Sequence, residues 1–154
     1  MDTLKAERVL RSICKAILSK RFVMHGSLGK SNTLLPKRPR GSFKKSHNLH
    51  HKAIYGTESL LVAVMYATLP SRIWRYKFKK HELWIKCRGE GNELNVSSGF
   101  IHLCPKSSFA GSPLISASKR AVKVVRTFPV SLEVFVYLWK KEKIKIFSRF
   151  PGRH

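Results

Sequence analysis

The first residues that could do chemistry lie in the stretch RFVMHGSLGK, residues 21–30. The apolar run 22–24 is typical of a buried strand, and the segment 26–29 predicts a turn directly after it. His25 would then lie at a strand end, where a scaffold can present a side chain to a ligand. The alternative is a structural histidine whose ring is held by a neighbouring carbonyl.

A second such stretch is KAIYGTESLLVAVMYATLP, residues 52–70. Residues 53–55 predict a short strand, Gly56 and Thr57 a turn, and Glu58 the start of an apolar helix that Pro70 stops. An acid suits the positive N-terminal end of a helix. Tyr55, at the strand end, is either a core tyrosine with a satisfied hydroxyl or an aromatic residue that contacts a ligand.

Residues 30–52, KSNTLLPKRPRGSFKKSHNLHHK, form a predicted loop with many cations and no acid. Loops of this length are usually functional or disordered. Four cations in it could bind the phosphates of a nucleic acid: Arg38, Arg40, Lys44 and Lys45. Three histidines, at positions 47, 50 and 51, have no carboxylate or cysteine nearby, so we predict no metal site.

The charge balance indicates a polyanionic partner. The 31 Lys and Arg residues oppose 8 Asp and Glu residues, which gives a formal net charge of +23, and such a chain attracts nucleic acids. A lysine-rich surface without a specific partner is the alternative. No apolar run approaches the roughly 20 residues that span a membrane, and Asp2 and Glu7 argue against a secretory signal. We therefore expect a cytoplasmic protein without a membrane partner.

The pattern of the chain predicts one α+β domain over residues 1–154. Apolar and basic residues in 3–20 occupy opposite sides of a helix, so residues 1–20 predict a basic amphipathic helix. The helix that begins at Glu58 is the early core helix. Six short runs after it predict a mostly antiparallel sheet: RIWRYKF, ELWIKC, GFIHLC, AVKVVR, LEVFVYLW and KIKIF. The three cysteines lack C-x-x-C spacing and predict neither a disulfide framework nor a zinc site.

Three motifs follow one another in a particular order: MHGS at 24–27, IYGT at 54–57 and GFIHLCPKSSF at 99–109. This arrangement resembles the ADP-ribosyltransferase superfamily, and is most similar to the small rifampin ADP-ribosyltransferase type. The resemblance spans roughly residues 22–130. It implies an ADP-ribosyltransferase-like fold and NAD as the bound substrate.

The resemblance also implies roles for single residues. His25 would bind a ribose hydroxyl of NAD, and Gly26 would let the backbone approach the nicotinamide amide. Tyr55 would flank the nicotinamide ring, with Ser27 and Thr57 as further polar contacts. A dry aromatic site suits this chemistry, because breaking the N-glycosidic bond of NAD develops an oxocarbenium-like sugar.

One departure from the family pattern concerns the acid that comes after the third motif. The corresponding position is Ser112, and no Asp or Glu lies between Glu93 and Glu133. A hydroxyl cannot replace the Coulomb attraction of a carboxylate for a developing cation. Transfer is therefore expected to be slow or absent unless Glu90 or Glu93 reaches the site, or the acceptor itself brings the negative charge.

The sequence is compatible with three functions. The chain could transfer ADP-ribose from NAD to a polyanionic or nucleic-acid-associated acceptor, with Tyr55 and Ser112 as the catalytic positions. It could keep the fold as a nucleotide- or nucleic-acid-binding module without catalysis. It could instead be a basic RNA-binding protein of a ribonucleoprotein, in which aromatic residues such as Trp74, Tyr76 and Trp84 contact bases.

Overall fold

The computed structural model describes residues 3–38, 52–68, 73–87 and 97–147. These residues confirm the α+β class: they form three α-helices and several small sheets in which antiparallel pairs predominate. The helices are α1 (Thr3–Ile17), α2 (Leu60–Thr68) and α3 (Leu132–Lys140). The strands are β1 (Phe22–Ser27), β2 (Thr33–Leu34), β3 (Ile54–Gly56), β4 (Ile73–Lys79), β5 (Glu82–Cys87), β6 (Gly99–Pro105), β7 (Ala110–Gly111), β8 (Ser116–Ser118), β9 (Val122–Lys123), β10 (Arg126–Val130) and β11 (Ile144–Phe147).

A sheet of strand order β1–β6–β10, antiparallel throughout, lies next to the candidate site. Side chains alternate between the two faces of a strand. Met24 on β1 and Ile101 on β6 therefore enter the main core together with α2. Val23 and Cys104 enter a second, smaller core on the other face. The alternation along β1 places His25 on the same face as Val23.

The main core contains buried residues from both the N-terminal and the C-terminal part of the described chain. A second sheet, of order β11–β5–β4, adds its inner face, and α1 and α3 cover the remaining sides. Its buried members from these elements include Ala6, Leu10, Ile13, Leu83, Ile85, Val134, Phe135, Leu138 and Ile144. Burial of this many aliphatic side chains supplies the main driving force for folding. In the described residues, no helix is long and apolar enough to cross a membrane.

Helix α3 covers the run LEVFVYLW, for which the sequence predicted a strand, and that prediction is wrong. The buried residues Val134, Phe135 and Leu138 have the spacing of one helical face, and Glu133 lies in the first turn, where an acid is favourable. A short apolar run with aromatic and β-branched residues fits either element. Here the helical spacing of the buried side chains decides.

Several predicted boundaries also move. Strand β1 continues through Gly26 and Ser27, so His25 lies inside the strand and not at its end. The N-terminal helix ends at Ile17. The run AVKVVR divides between β9 and the start of β10. Part of the predicted loop 30–52 is ordered by pairing, since β2 pairs with β9 and Lys37 forms a bridge with Ala53. Residues 39–51 lie outside the described residues.

Gly26 sets the distance between β1 and α2. A Cβ atom at this position would lie 2.3 Å from the carbonyl oxygen of Ala63 and 2.8 Å from the backbone nitrogen of Ala67. Both contacts are with backbone, which cannot rotate away as a flexible side chain would. The glycine is therefore required for the close approach of strand and helix.

We expect Gly26→Ala to lower the free energy of unfolding by about 1–3 kcal/mol, because the added methyl group overpacks the contact between β1 and α2. Urea unfolding of the wild type and the variant measures the difference. Gly29→Ala is the matched control, because a Cβ there meets nothing within 4 Å. Equal loss of stability in the two variants would contradict this account of the strand–helix contact.

Candidate functional site

The candidate site begins where β1 and β3 separate. One antiparallel bridge joins them: Met24 N–H donates to the carbonyl of Thr57 at 2.8 Å, and Thr57 N–H donates to that of Met24 at 2.9 Å. Within the described residues, no other backbone hydrogen bond links the two strands. Past this bridge, Nδ1 of His25 donates to the carbonyl oxygen of Tyr55 at 2.7 Å. The imidazole thus stands where the next rung of a sheet would be.

A cavity of about 820 Å³ opens between the diverging strands. This volume falls within the roughly 300–1,000 Å³ of typical small-molecule sites. The lining comes from β1 and the turn after it, from residues 33–38, from β3 and its flanking residues, and from Val62, Ala63 and Tyr66 on α2. All five residues predicted to bind a cofactor line it: His25, Gly26, Ser27, Tyr55 and Thr57.

The partners of His25 fix its chemical state. A carbonyl oxygen only accepts hydrogen bonds, so Nδ1 carries the hydrogen. Burial lowers the pKa of the His25 imidazole below its ordinary value of 6.5; the Tyr55 carbonyl opposes this shift, whereas His102 and Lys37 add to it. The ring is therefore neutral at pH 7. Nε2, which has no partner in the described residues, keeps its lone pair and is a hydrogen-bond acceptor next to the cavity.

His102, on the neighbouring strand β6, binds the backbone of β1. It is completely buried on β6, directly across from His25, and the two ring centroids are 6.0 Å apart. Its Nδ1 donates to the carbonyl of His25 at 3.1 Å, and its Nε2 accepts the backbone N–H of Ser31 at 3.1 Å. Both nitrogens are therefore used by a neutral ring, and burial lowers the pKa of His102. The histidine couples β1 to the turn that forms one wall of the cavity.

The charged residues of the cavity lining are all positive. Lys30, Lys37 and Arg38 are among the lining residues, and Asp and Glu are absent from this part of the described chain. Lysines and an arginine at the edge of a concave site attract anions and raise their local concentration. The lining therefore favours a ligand that carries negative charge and offers a hydrogen-bond donor near His25.

The remaining predicted contacts have structural roles as well. Ser27 Oγ donates to the carbonyl of Gly29 at 2.8 Å and shapes the turn after β1. Thr57 is buried, and its Oγ1 accepts the N–H of Ser59 at 3.0 Å just before α2. Ser59 Oγ then accepts the N–H of Val62 at 3.3 Å, as the N-cap of the helix. Ser27 and Thr57 thus line the cavity while their hydroxyl groups hold its walls.

Ser112 does not join the other predicted residues. It is exposed and outside the cavity lining, and its hydroxyl and N–H close a turn with Ile115. The same turn contacts Glu58, whose N–H donates to the carbonyl of Pro113 at 2.7 Å. The Glu58 carboxylate pairs with Lys106 at 3.0 Å. Of the predicted catalytic positions, the cavity therefore contains Tyr55 alone.

Other predicted positions divide in a similar way. Arg38, predicted to bind nucleic acid, lines the cavity, whereas its companions Arg40, Lys44 and Lys45 lie outside the described residues. Glu90, Glu93 and the loop histidines also lie outside them. No group of three or more metal-binding side chains occurs in the part of the chain that the structure describes.

Sequence reasoning missed His102 and the cations Lys30 and Lys37. The signal for His102 was present, because it lies two residues before Cys104 in a run of otherwise apolar residues. A polar ring on such a strand indicates a buried hydrogen-bonded network. The lysines gave no signal of their own, because lysine is common throughout this chain and only the fold brings these two to the cavity.

Comparisons of this chain with protein-family models, with curated proteins and with solved structures give no match.

The two neutral histidines predict that stability depends on pH. Their pKa values are lower in the folded chain than in the unfolded chain. The unfolded chain therefore binds more protons below pH 6.5, and the free energy of unfolding is highest above that pH. It falls as the pH drops from 6.5 toward the folded pKa values, by at most about 1.4 kcal/mol per pH unit for each histidine.

The variant His102→Asn tests this pH dependence. The amide nitrogen of the asparagine can replace Nδ1 as donor to the His25 carbonyl, but the variant lacks Nε2, which accepts the Ser31 N–H. We expect lower stability at pH 7.5, by roughly 1–3 kcal/mol, and a flatter profile between pH 7.5 and 5.5 in thermal unfolding. His81→Asn, at an exposed turn, should keep the slope of the wild type. Parallel profiles for the wild type and His102→Asn would contradict the proposed network.

Proposed function

We propose that this chain is an NAD-binding protein of the ADP-ribosyltransferase type and that the cavity between β1 and β3 is its NAD site. The observation that supports this most strongly is the contact of the His25 ring with the backbone of Tyr55 at 2.7 Å, with both residues in the lining of one cavity. The two residues are 30 positions apart in the chain. The family resemblance, which rests on the order of the sequence motifs, independently assigns the same two residues to one NAD site.

The hydrogen-bonding state of His25 suits a ribose. A neutral ring with a free Nε2 lone pair needs a donor from the ligand, and a sugar hydroxyl is such a donor. An imidazolium would instead need an acceptor and would repel a positively charged nicotinamide ring. The burial that lowers the pKa of His25 therefore favours a nucleoside with free hydroxyls.

The cations at the cavity suit a pyrophosphate. Lys37 is tied to Ala53 through its backbone, while its side chain is exposed. Lys30 and Arg38 also line the cavity. Diphosphate oxygens are strong acceptors for ammonium and guanidinium groups. Tyr55 and Tyr66 add aromatic residues to the lining, which can contact the flat rings of a dinucleotide.

Two versions of the proposal differ in the fate of the bound NAD. In the first, ADP-ribose is transferred to a polyanionic acceptor such as a nucleic acid, and the net charge of +23 supports it. In the second, the chain binds NAD without turnover, and the lack of a carboxylate in the described lining supports it. A developing oxocarbenium ion needs a nearby negative charge, which Glu58 does not supply while it pairs with Lys106.

NAD is expected to raise the melting temperature of the wild type, because a ligand that binds only the folded chain stabilises it. His25→Asn separates binding from folding: the amide nitrogen can still donate to Tyr55, but Nε2 is removed. We expect an apo melting temperature close to the wild type and NAD affinity about tenfold weaker, since one hydrogen bond of roughly 1.5 kcal/mol is lost. Differential scanning fluorimetry and calorimetric titration measure both quantities. Unchanged NAD affinity in His25→Asn would refute the assignment of this site.

Lys37→Gln and Lys123→Gln form a matched pair, because both remove one exposed positive charge. Lys37 lines the cavity and Lys123 does not. We expect NAD binding to weaken about two- to fivefold in Lys37→Gln at low salt and to be unchanged in Lys123→Gln. Equal effects would show that the pyrophosphate does not lie at this end of the cavity.

Labelled NAD distinguishes the two versions. We expect the wild type to release nicotinamide slowly from NAD alone, since no carboxylate of the described lining stabilises the cation. Incubation with single-stranded RNA, single-stranded DNA and a basic protein then tests for transfer of the label, with His25→Asn at subsaturating NAD as the control with weakened NAD binding. Label on an acceptor that falls about tenfold in His25→Asn at subsaturating NAD supports the transferase. NAD binding without label on any acceptor supports the binding module.

A further inference from the structure

The outer face of the sheet β11–β5–β4 combines aromatic and charged side chains. Alternation along the three strands sends Leu83, Ile85 and Ile144 to the core and their neighbours to the opposite side. That side presents one acid, Glu82, together with two aromatic residues and four lysines, here called the aromatic–basic face: Trp84, Phe147, Lys77, Lys79, Lys86 and Lys145.

The two aromatic side chains form one unit. The ring centroids of Trp84 and Phe147 are 4.9 Å apart with an interplanar angle of 38°. The indole N–H of Trp84 donates to Oε2 of Glu82 at 2.8 Å, which fixes the orientation of the ring. Both residues are only half-buried. A solvent-accessible aromatic pair on a sheet, fixed by a hydrogen bond, is a site on which flat rings can stack.

Cations surround this aromatic pair. Lys79 Nζ lies 4.6 Å and Lys77 Nζ 5.3 Å from the centre of the Trp84 ring. Lys145 is directly across from Trp84 in the register of β11 and β5, and its Nζ lies 3.5 Å from Oε1 of Glu142, which is exposed. Exposed cation–π contacts are worth only about 0.5–1 kcal/mol, so a base that stacks on Trp84 can displace a lysine ammonium group. The displaced group is then available to pair with a phosphate of the bound strand.

We propose that the aromatic–basic face binds single-stranded nucleic acid, with bases stacked on Trp84 and Phe147 and phosphates held by the surrounding lysines. Stacking needs unpaired bases, which a duplex does not offer, and the lysines match the charge of a phosphate backbone. The contacts involve base faces and phosphates and none to the sugar, so RNA and DNA strands should bind alike. The face is separate from the cavity residues and does not depend on NAD binding.

Fluorescence anisotropy with labelled 12-nucleotide oligouridylate and oligothymidylate tests the proposal. We expect Trp84→Ala to weaken binding about 5- to 150-fold, the usual effect of removing a stacking residue. Trp84→Phe keeps an aromatic ring and should retain most of the affinity. Because the tryptophan is half-buried, the melting temperature of each variant is measured alongside. Unchanged affinity in Trp84→Ala would overturn the proposal.

The contribution of the lysines to binding is tested with variants at exposed positions. Four phosphate contacts predict a slope of about −3 in a plot of log affinity against log salt concentration for a single strand. The double variant Lys77→Gln/Lys79→Gln should reduce the slope by about 1.4. Lys119→Gln/Lys123→Gln removes the same charge from exposed positions elsewhere and should leave the slope unchanged. Equal losses in the two double variants would show general attraction of polyanions and overturn the proposal.

Control ligands and a control variant distinguish other ways of binding at the aromatic–basic face. A 12-base-pair duplex or polyglutamate that binds as tightly as the single strand, with the same dependence on Trp84, would overturn the proposal. His25→Asn should bind the oligonucleotides like the wild type. A failure of NAD binding in the thermal assay, together with oligonucleotide binding that depends on Trp84, would reject the NAD site and leave the aromatic–basic face supported.

Discussion

The hydrogen bond from the His25 ring to the backbone carbonyl of Tyr55 is the contact on which the cavity depends. A normal antiparallel ladder would close β1 and β3 against each other and leave no space between them. The bridge between Met24 and Thr57 anchors the strands at one point. Beyond it, the His25 imidazole donates to the Tyr55 carbonyl while the strands diverge. One side chain therefore satisfies the backbone, forms part of the wall and presents Nε2 to a ligand.

The surrounding structure keeps this imidazole neutral and in place. On one face of β1, Gly26 allows the backbone of α2 to press against the strand. On the other face, His102 donates to the carbonyl of His25 and accepts the N–H of Ser31, so that it links the strand to the turn after it. Burial lowers the pKa of both rings. The positive charge of the site is thereby confined to the exposed side chains at its edge, where it attracts an anion without repelling a ligand deeper in the cavity.

Local patterns in the sequence were sufficient for α1, α2, the hairpin β4–β5 and the strand β6, because each has a clear period or a clear stop signal. They failed for α3, whose apolar run fits a strand as well as a helix until the packing of Val134 and Leu138 is known. The grouping of His25, Tyr55 and Thr57 was predictable only through motif order. Ser112 could not be placed, because its position depends on how the turn 112–115 folds back toward Glu58. The lysines at the cavity had no distinguishing neighbours in the chain, since their role arises from tertiary contacts.

The proposed NAD site requires a neutral His25 with hydrogen on Nδ1 and an accepting Nε2 that contacts NAD. Long-range ¹H–¹⁵N NMR of histidine-labelled protein observes both ring nitrogens directly, with His25→Asn used to assign the signals. We predict a protonated Nδ1 and a bare Nε2 at pH 7, and a change in the Nε2 shift of His25 as NAD saturates the cavity. A hydrogen on Nε2, or a His25 signal that stays unchanged at saturating NAD, would contradict the proposed site.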